Sequence, residues 1–238
     1  MKNTLKKIIP AIAAGIFCIL FIVSCKKEND DNVTDIDGNV YKIISIGGNV
    51  WMAENLRTTK FRDGTAISLV TGEADWAALS SPAYCWPENN ASYKSTLGGF
   101  YNGYAVLSNK GLCPSGWHVA TDGDWMDMEQ ALGMSQSAAA SQGTRGVSEN
   151  VGGKLKSTSY WDAPNTGADN TSGFSAYGTG YRRPPGEFAW FRQWTGYYTS
   201  TGIDAQHLWM RYIGFDMQGI DRNNYPLQYA YSIRCVED

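Results

Sequence analysis

Hydrophobic and polar positions along this chain fall into three regimes. The first is an apolar run from Ile8 to Val23, led by Lys2, Lys6 and Lys7 and closed by the small residue Ser24. It contains Pro10 and Gly15 and falls short of the roughly 20 residues a bilayer-spanning helix needs, so residues 1–24 read as a secretory signal rather than a permanent span. The second regime, Lys26 to Asn32, has no apolar residue and reads as a solvated tether. The third, from Val33 to Asp238, has mixed periodicity, no Pro/Ser linker and no repeat of fixed period, which predicts one domain over residues 33–238.

Within that domain the β-branched stretch Val40 to Ile46, the pair Gly47-Gly48 and the return from Asn49 to Leu56 predict a hairpin anchored by Trp51 and Leu56. Asp35 to Asn39 has the look of a calcium loop, but an EF-hand needs Gly at its sixth position and Glu at its twelfth. Those positions are Val40 and Ile46 here, so the segment reads as a turn feeding the hairpin. Ala74 to Leu79 predicts a helical turn, and the Asn/Gly-rich aromatic stretch Tyr84 to Tyr104 predicts loops and short strands.

The clearest helix starts at Thr121, a capping hydroxyl with Asp124 three positions on, and Trp125, Met128 and Leu132 make its buried face. Asp122, Asp124, Asp127 and Glu129 are read as helix-dipole complements and solvated charges rather than as a catalytic pair. Met134 to Asn150 predicts an inserted surface loop. Further strands are expected at Gly173 to Ala176, Trp194 to Ser200, Gln206 to Asp216 and Gln228 to Val236, the last with Tyr229, Tyr231, Ile233 and Cys235 on one buried face.

Composition narrows the chemistry. Nine Trp, fourteen Tyr and twenty-six Gly in 238 residues describe a loop-rich globule with an aromatic core, and excess charge gives no ground for expecting disorder. Removing Lys2, Lys6 and Lys7 with the signal makes the net charge of −3 three units more negative, which excludes the basic footprint that nucleic acid requires. Two histidines, His118 and His207, leave little material for a zinc site or a His-based relay, and both are expected to be structural. No metal and no cofactor is expected. The segment Tyr181 to Trp194 concentrates aromatic rings and arginines. Its Tyr181, Arg182, Arg183, Trp190, Arg192 and Trp194 are the candidate ligand-binding residues, against the plainer reading of core packing with Arg at the rim.

Several segments carry resemblances. Ile22-Val23-Ser24-Cys25 resembles the bacterial lipobox, which implies an acylated, palmitate-type anchor at Cys25 and attachment to the membrane. Lys26 to Asn32 resembles the short acidic lipoprotein export signal of Bacteroidetes. That implies an outer-membrane lipoprotein at the cell surface, with the periplasmic face as the open alternative.

Asp37-Gly38-Asn39-Val40-Tyr41, Val50-Trp51-Met52-Ala53-Glu54-Asn55-Leu56-Arg57, Cys113-Pro114-Ser115-Gly116-Trp117-His118-Val119, Gly173-Phe174-Ser175-Ala176 and Ser232-Ile233-Arg234-Cys235-Val236 occur in this order. Together they resemble the Fibrobacter succinogenes major paralogous domain, a family common in lipoproteins of Bacteroidetes and Fibrobacteres. The resemblance covers nearly the whole mature chain. Gly98 to Tyr104 departs from it, standing where the family tends to show Tyr-Gly-x-Leu-Tyr-Asn-Trp.

The late Cys-x-x-Gly-Trp segment, the capped helix and the terminal Arg-Cys-Val are in turn similar to C-type-lectin-like and formylglycine-generating-enzyme-like domains. This implies an α+β fold: a twisted antiparallel sheet with few helices and long loops. It also implies a disulfide between Cys113 and Cys235, leaving Cys85 as a spare thiol whose plain reading is burial. The function expected is a non-enzymatic binding or adhesion module for an extracellular glycan or protein, without a Glu-Pro-Asn or Gln-Pro-Asp calcium motif. The alternatives are an envelope enzyme distantly similar to thiol oxidases, and a structural subunit of a surface assembly.

Overall fold

The computed structural model describes residues 31–238, which form one compact unit. The expected signal (1–24), the acylated Cys25 and most of the tether (25–32) lie outside the described residues. No helix among the described residues is long and apolar enough to cross a membrane. The architecture is α+β: among the described residues three mostly antiparallel sheets are joined, with six short α-helices between them.

The first sheet orders its strands Asn32–Thr34, Val40–Ile46, Asn49–Met52, Cys235–Glu237 and Trp117–Val119. Its opening hairpin turns at Gly47 and Gly48, both at positive φ, as a tight hairpin requires. The second sheet runs Phe188–Ala189, Tyr181–Arg182, Ala230–Tyr231, Phe100–Asn102, Ala83–Cys85 and Ser68–Leu69, with one parallel pair at its end. The third contains the longest strands, Trp194–Gly202, His207–Gly214 and Ile220–Pro226, with Gly143–Arg145 at its edge.

The third sheet divides the core, because successive residues of a strand point to opposite faces. Leu208, Met210 and Tyr212 enter a tyrosine-rich cluster with Tyr41, Tyr101, Tyr198 and Tyr231. Tyr197 and Ile213 enter another with Trp51, Trp125, Met128 and Phe174. The Asp122–Ala131 helix covers that second cluster. Thr121 accepts from the Asp124 amide while Asp124 accepts from the Thr121 amide, a complete capping box.

Three of the segments that carry the family resemblance meet at one side chain. The buried guanidinium of Arg234 donates to Asn55 Oδ1 at 2.7 Å, to the Met52 carbonyl at 2.9 Å and to the Phe174 carbonyl at 2.7 Å. Those motifs therefore build scaffold, since a buried cation must have its donors satisfied. Cys113 and Cys235 are disulfide-bonded, with Cα atoms 6.0 Å apart.

Four sequence expectations change. Met134 to Asn150 lies at the surface as expected but is structured rather than a loop: Ser135 caps a Gln136–Ala140 helix, and Gly143–Arg145 pairs with Ile220–Pro226. Gly173 to Ala176 contributes a single bridge between Lys156 and Ala176 instead of a strand. The terminal strand is split, Ala230–Tyr231 joining the second sheet and Cys235–Glu237 the first, because the chain crosses between them at Ser232 to Arg234. Asp122 and Glu129 are not solvated. Glu129 receives Arg145 Nη2 at 2.6 Å and Arg211 Nε at 2.6 Å, and Asp122 receives Arg211 Nη1 at 2.7 Å and Arg222 Nη2 at 2.6 Å.

Candidate functional site

The aromatic segment 181–194 meets the third sheet at an open groove of about 320 Å³. It is lined by Tyr181, Trp190, Trp194, Tyr212, Asp221, Asn223 and Tyr225. Period-two alternation along Ile220–Pro226 puts Asp221, Asn223 and Tyr225 on the groove side, while Arg222 turns to the opposite face and Asp122. Tyr212 sits directly across from Asp221 in the strand register. A bridge between Gly180 and Thr195 carries the Tyr181 strand alongside. Gly180 has φ +69, and a Cβ there would lie 2.6 Å from the Ala189 carbonyl oxygen, so the close crossing requires glycine.

Tyr212, 7% exposed, is the floor. Trp194 stands against it at 5.9 Å and 89°, Tyr181 at 5.6 Å and 67°, and Tyr225 at 5.5 Å and 77°. The three rings rise as walls in edge-to-face contacts that aromatic quadrupoles favour. Trp190, 49% exposed, stands on the rim in the left-handed region at φ +62. Its carbonyl accepts from the amides of Gln193 and Trp194, which holds the turn in this sparsely populated conformation.

The polar lining is small. Asp221 Oδ2 accepts from Thr144 Oγ1 at 3.1 Å, and Oδ1 accepts from Asn223 Nδ2 at 3.1 Å. Burial pushes the Tyr212 phenol far up, and the Tyr225 phenol is raised by burial and by Tyr181, Tyr229 and Asp221. Both remain neutral donors at ordinary pH. The Tyr212 hydroxyl is 2.9 Å from that of Tyr231 behind the floor.

Of the six sequence candidates, Tyr181, Trp190 and Trp194 come together here. Arg182 is buried elsewhere, its guanidinium donating to the carbonyls of Val70, Thr71, Gly72 and Gly186 over the Trp76 ring. Arg183 is partly buried at the hairpin turn, where its amide donates to the Glu187 carbonyl. Arg192 is exposed and pairs with Asp162 at 3.0 Å. The residues missed, Tyr212, Asp221, Asn223 and Tyr225, left one readable signal: Asp, Asn and Tyr at every second position of a polar run.

The remaining candidate chemistry is tied into the scaffold. Cys85 is buried, and burial pushes its thiol up to about 12, which leaves little thiolate at neutral pH. His118 bridges Asp124 and Asp238, and His207 closes the turn on Asp204. Among the described residues no three His, Cys, Asp or Glu side chains converge.

The fold and the groove together define a disulfide-closed, sheet-rich domain with an aromatic cleft at the junction of two sheets. The chain belongs to the Fibrobacter succinogenes major domain family, whose profile it matches over residues 44–237. No curated protein and no solved structure matches it.

Proposed function

We propose that this protein is a lipid-anchored envelope protein whose domain holds an extracellular glycan or protein ligand in the aromatic groove. One observation carries the reading: five aromatic rings and two polar side chains, Asp221 and Asn223, line one solvent-open concavity. Concave sites with mostly apolar walls and few convergent polar groups are the usual form of ligand pockets.

The anchor is Cys25, and the acidic tether after it favours the outer membrane and its cell-surface side. A C-type-lectin-like ancestry is part of the proposal. It is supported by the order of disulfide half, capped helix and terminal disulfide half along the chain.

The test uses the intact lipoprotein on a panel of immobilised polysaccharides and surface proteins, with Trp190→Ala as partner. A retained ligand whose capture falls at least about tenfold in the variant supports the groove, that being the effect of truncating an interface hot spot. Capture undiminished by Trp190→Ala removes it. Radiolabelled palmitate incorporation that survives Cys25→Ala removes the anchor.

A further inference from the structure

Resting on the groove as the ligand site, we infer that it is an aromatic cage for a quaternary ammonium group. Three features converge. The rings stand steeply on the floor of the open groove rather than stacking: Trp194, Tyr181 and Tyr225 meet Tyr212 at 89°, 67° and 77°. A flat platform for a sugar face would present one broad plane, whereas walls around a floor present several π faces to one compact guest. A cation is drawn to such faces by the negative side of the ring quadrupole.

The charge in the groove has the matching sign. Asp221 is the one ionisable carboxylate in the lining, and no Lys or Arg lines it. Asp221 enters no ion pair among the described residues. Of the basic residues close by in sequence, Arg222 is turned to Asp122, Arg182 to main-chain carbonyls and Arg192 to Asp162, while Arg183 lies toward Tyr229, outside the lining. The groove therefore pairs a carboxylate with neutral aromatic walls, and an anionic guest would meet repulsion.

Alkylation state follows from the hydrogen bonds. A primary ammonium carries three donors that must be satisfied when it leaves water. Thr144 and Asn223 each take one acceptor site of the Asp221 carboxylate, which leaves too few for those three donors. A quaternary ammonium has no donor to satisfy and gains from every ring. The guest's remainder, whether a choline-type headgroup or a methylated amine on a larger ligand, extends past Trp190 into solvent.

The experiment titrates the intact protein, in a polyoxyethylene detergent free of choline and sugar, with four small probes. These are choline, tetramethylammonium, methylammonium and the neutral carbon isostere 3,3-dimethylbutan-1-ol, followed by tryptophan fluorescence and calorimetry. Choline and tetramethylammonium are expected to bind at least about tenfold more tightly than the neutral isostere and than methylammonium. Trp190→Ala is expected to weaken choline about two- to fivefold, the worth of one cation–π contact at an exposed position. The exposed position of Trp190 makes that variant safe for folding, and Asp221→Asn, equal in shape, is expected to weaken choline while sparing the isostere.

Equal binding of choline and its neutral isostere overturns the cage. So does a lack of choline binding by a protein that takes neutral N-acetylglucosamine oligomers with Trp190 dependence, an outcome that leaves the groove standing as a ligand site. A panel ligand indifferent to Trp190→Ala overturns the groove itself.

Discussion

At the scale of single residues, Asp122 shows how a charge can be buried safely. Desolvation pushes its carboxyl upward, but hydrogen bonds and charge from Arg222 and Arg211 outweigh it and hold it below its ordinary 3.8. A depressed carboxyl contributes stability that is fully present above the unfolded value and is lost as pH falls through the folded one. Asp122→Asn leaves Arg222 without its charge partner and Arg211 with Glu129 alone. Breaking such a buried pair costs about 3–5 kcal/mol at neutral pH. Urea melts are expected to show that loss at pH 7 and a smaller difference from wild type below pH 3.8. A pH-independent difference would remove the ionic account. The acids of this helix were visible in the sequence and their burial was not, because Arg211 and Arg222 stand 89 and 100 positions away. A local pattern of acids in a first turn has the same appearance whether it faces water or a guanidinium brought in by a distant strand.

Elements follow the same division between local and distant causes. The capped helix and the Gly-Gly hairpin were legible because their determinants, a hydroxyl with a carboxylate three residues on and two positive-φ glycines, lie within a few residues. The strand Ile220–Pro226 was not, since its two large non-polar side chains, Ile220 and Tyr225, fall on opposite faces and its pairing partners supply the reason for its form. The helix Val151–Leu155 is likewise set from outside. Lys156 at its end sends Nζ to the carbonyls of Thr166, Gly214 and Met217 at 2.8, 3.0 and 2.8 Å, clipping two loops to it. Burial pulls this ammonium down to about 8, with Asp216 opposing. Between about 8 and the ordinary 10.5 the unfolded chain keeps a proton that the folded one sheds, so stability contributed by this group rises with pH. Wild type is expected to gain stability relative to Lys156→Met from pH 8 to 9.5, at up to about 1.4 kcal/mol per pH unit. Buried tyrosines such as Tyr198 and Tyr231, whose phenols are raised, oppose this above pH 10 and set the upper limit. Parallel pH profiles for the two proteins would show that the clip carries no proton linkage.

Across the whole molecule, the disulfide and the groove occupy different sheets, and this separation has a measurable consequence. Cys235 pairs in register with Val119, so the Cys113–Cys235 bond closes the first sheet where the chain's end returns to it, across a separation of 122 residues. Cross-linking so long a loop restricts the unfolded chain by about 4–5 kcal/mol in the chain-entropy account. The groove depends on another set of contacts: the register of His207–Gly214 with Ile220–Pro226 and the Gly180 crossing. The motifs of the first sheet make the family and the opening hairpin recognisable from sequence, while the Arg234 hub that joins them emerges only in the fold. Tyr181, Trp190 and Trp194 of the groove were legible in one aromatic segment, whereas Tyr212, Asp221, Asn223 and Tyr225 join them only by tertiary pairing and were not. Replacing Cys113 and Cys235 with Ala is therefore expected to lower stability without reshaping the ligand site. The midpoint should fall by about 2–4 °C for each kcal/mol lost, while Trp190-dependent binding, measured well below that midpoint, keeps its affinity. A folded double variant that has lost this binding would mean that the first sheet positions the groove. The boundary between scaffold and site would then have to move from the third sheet to the disulfide.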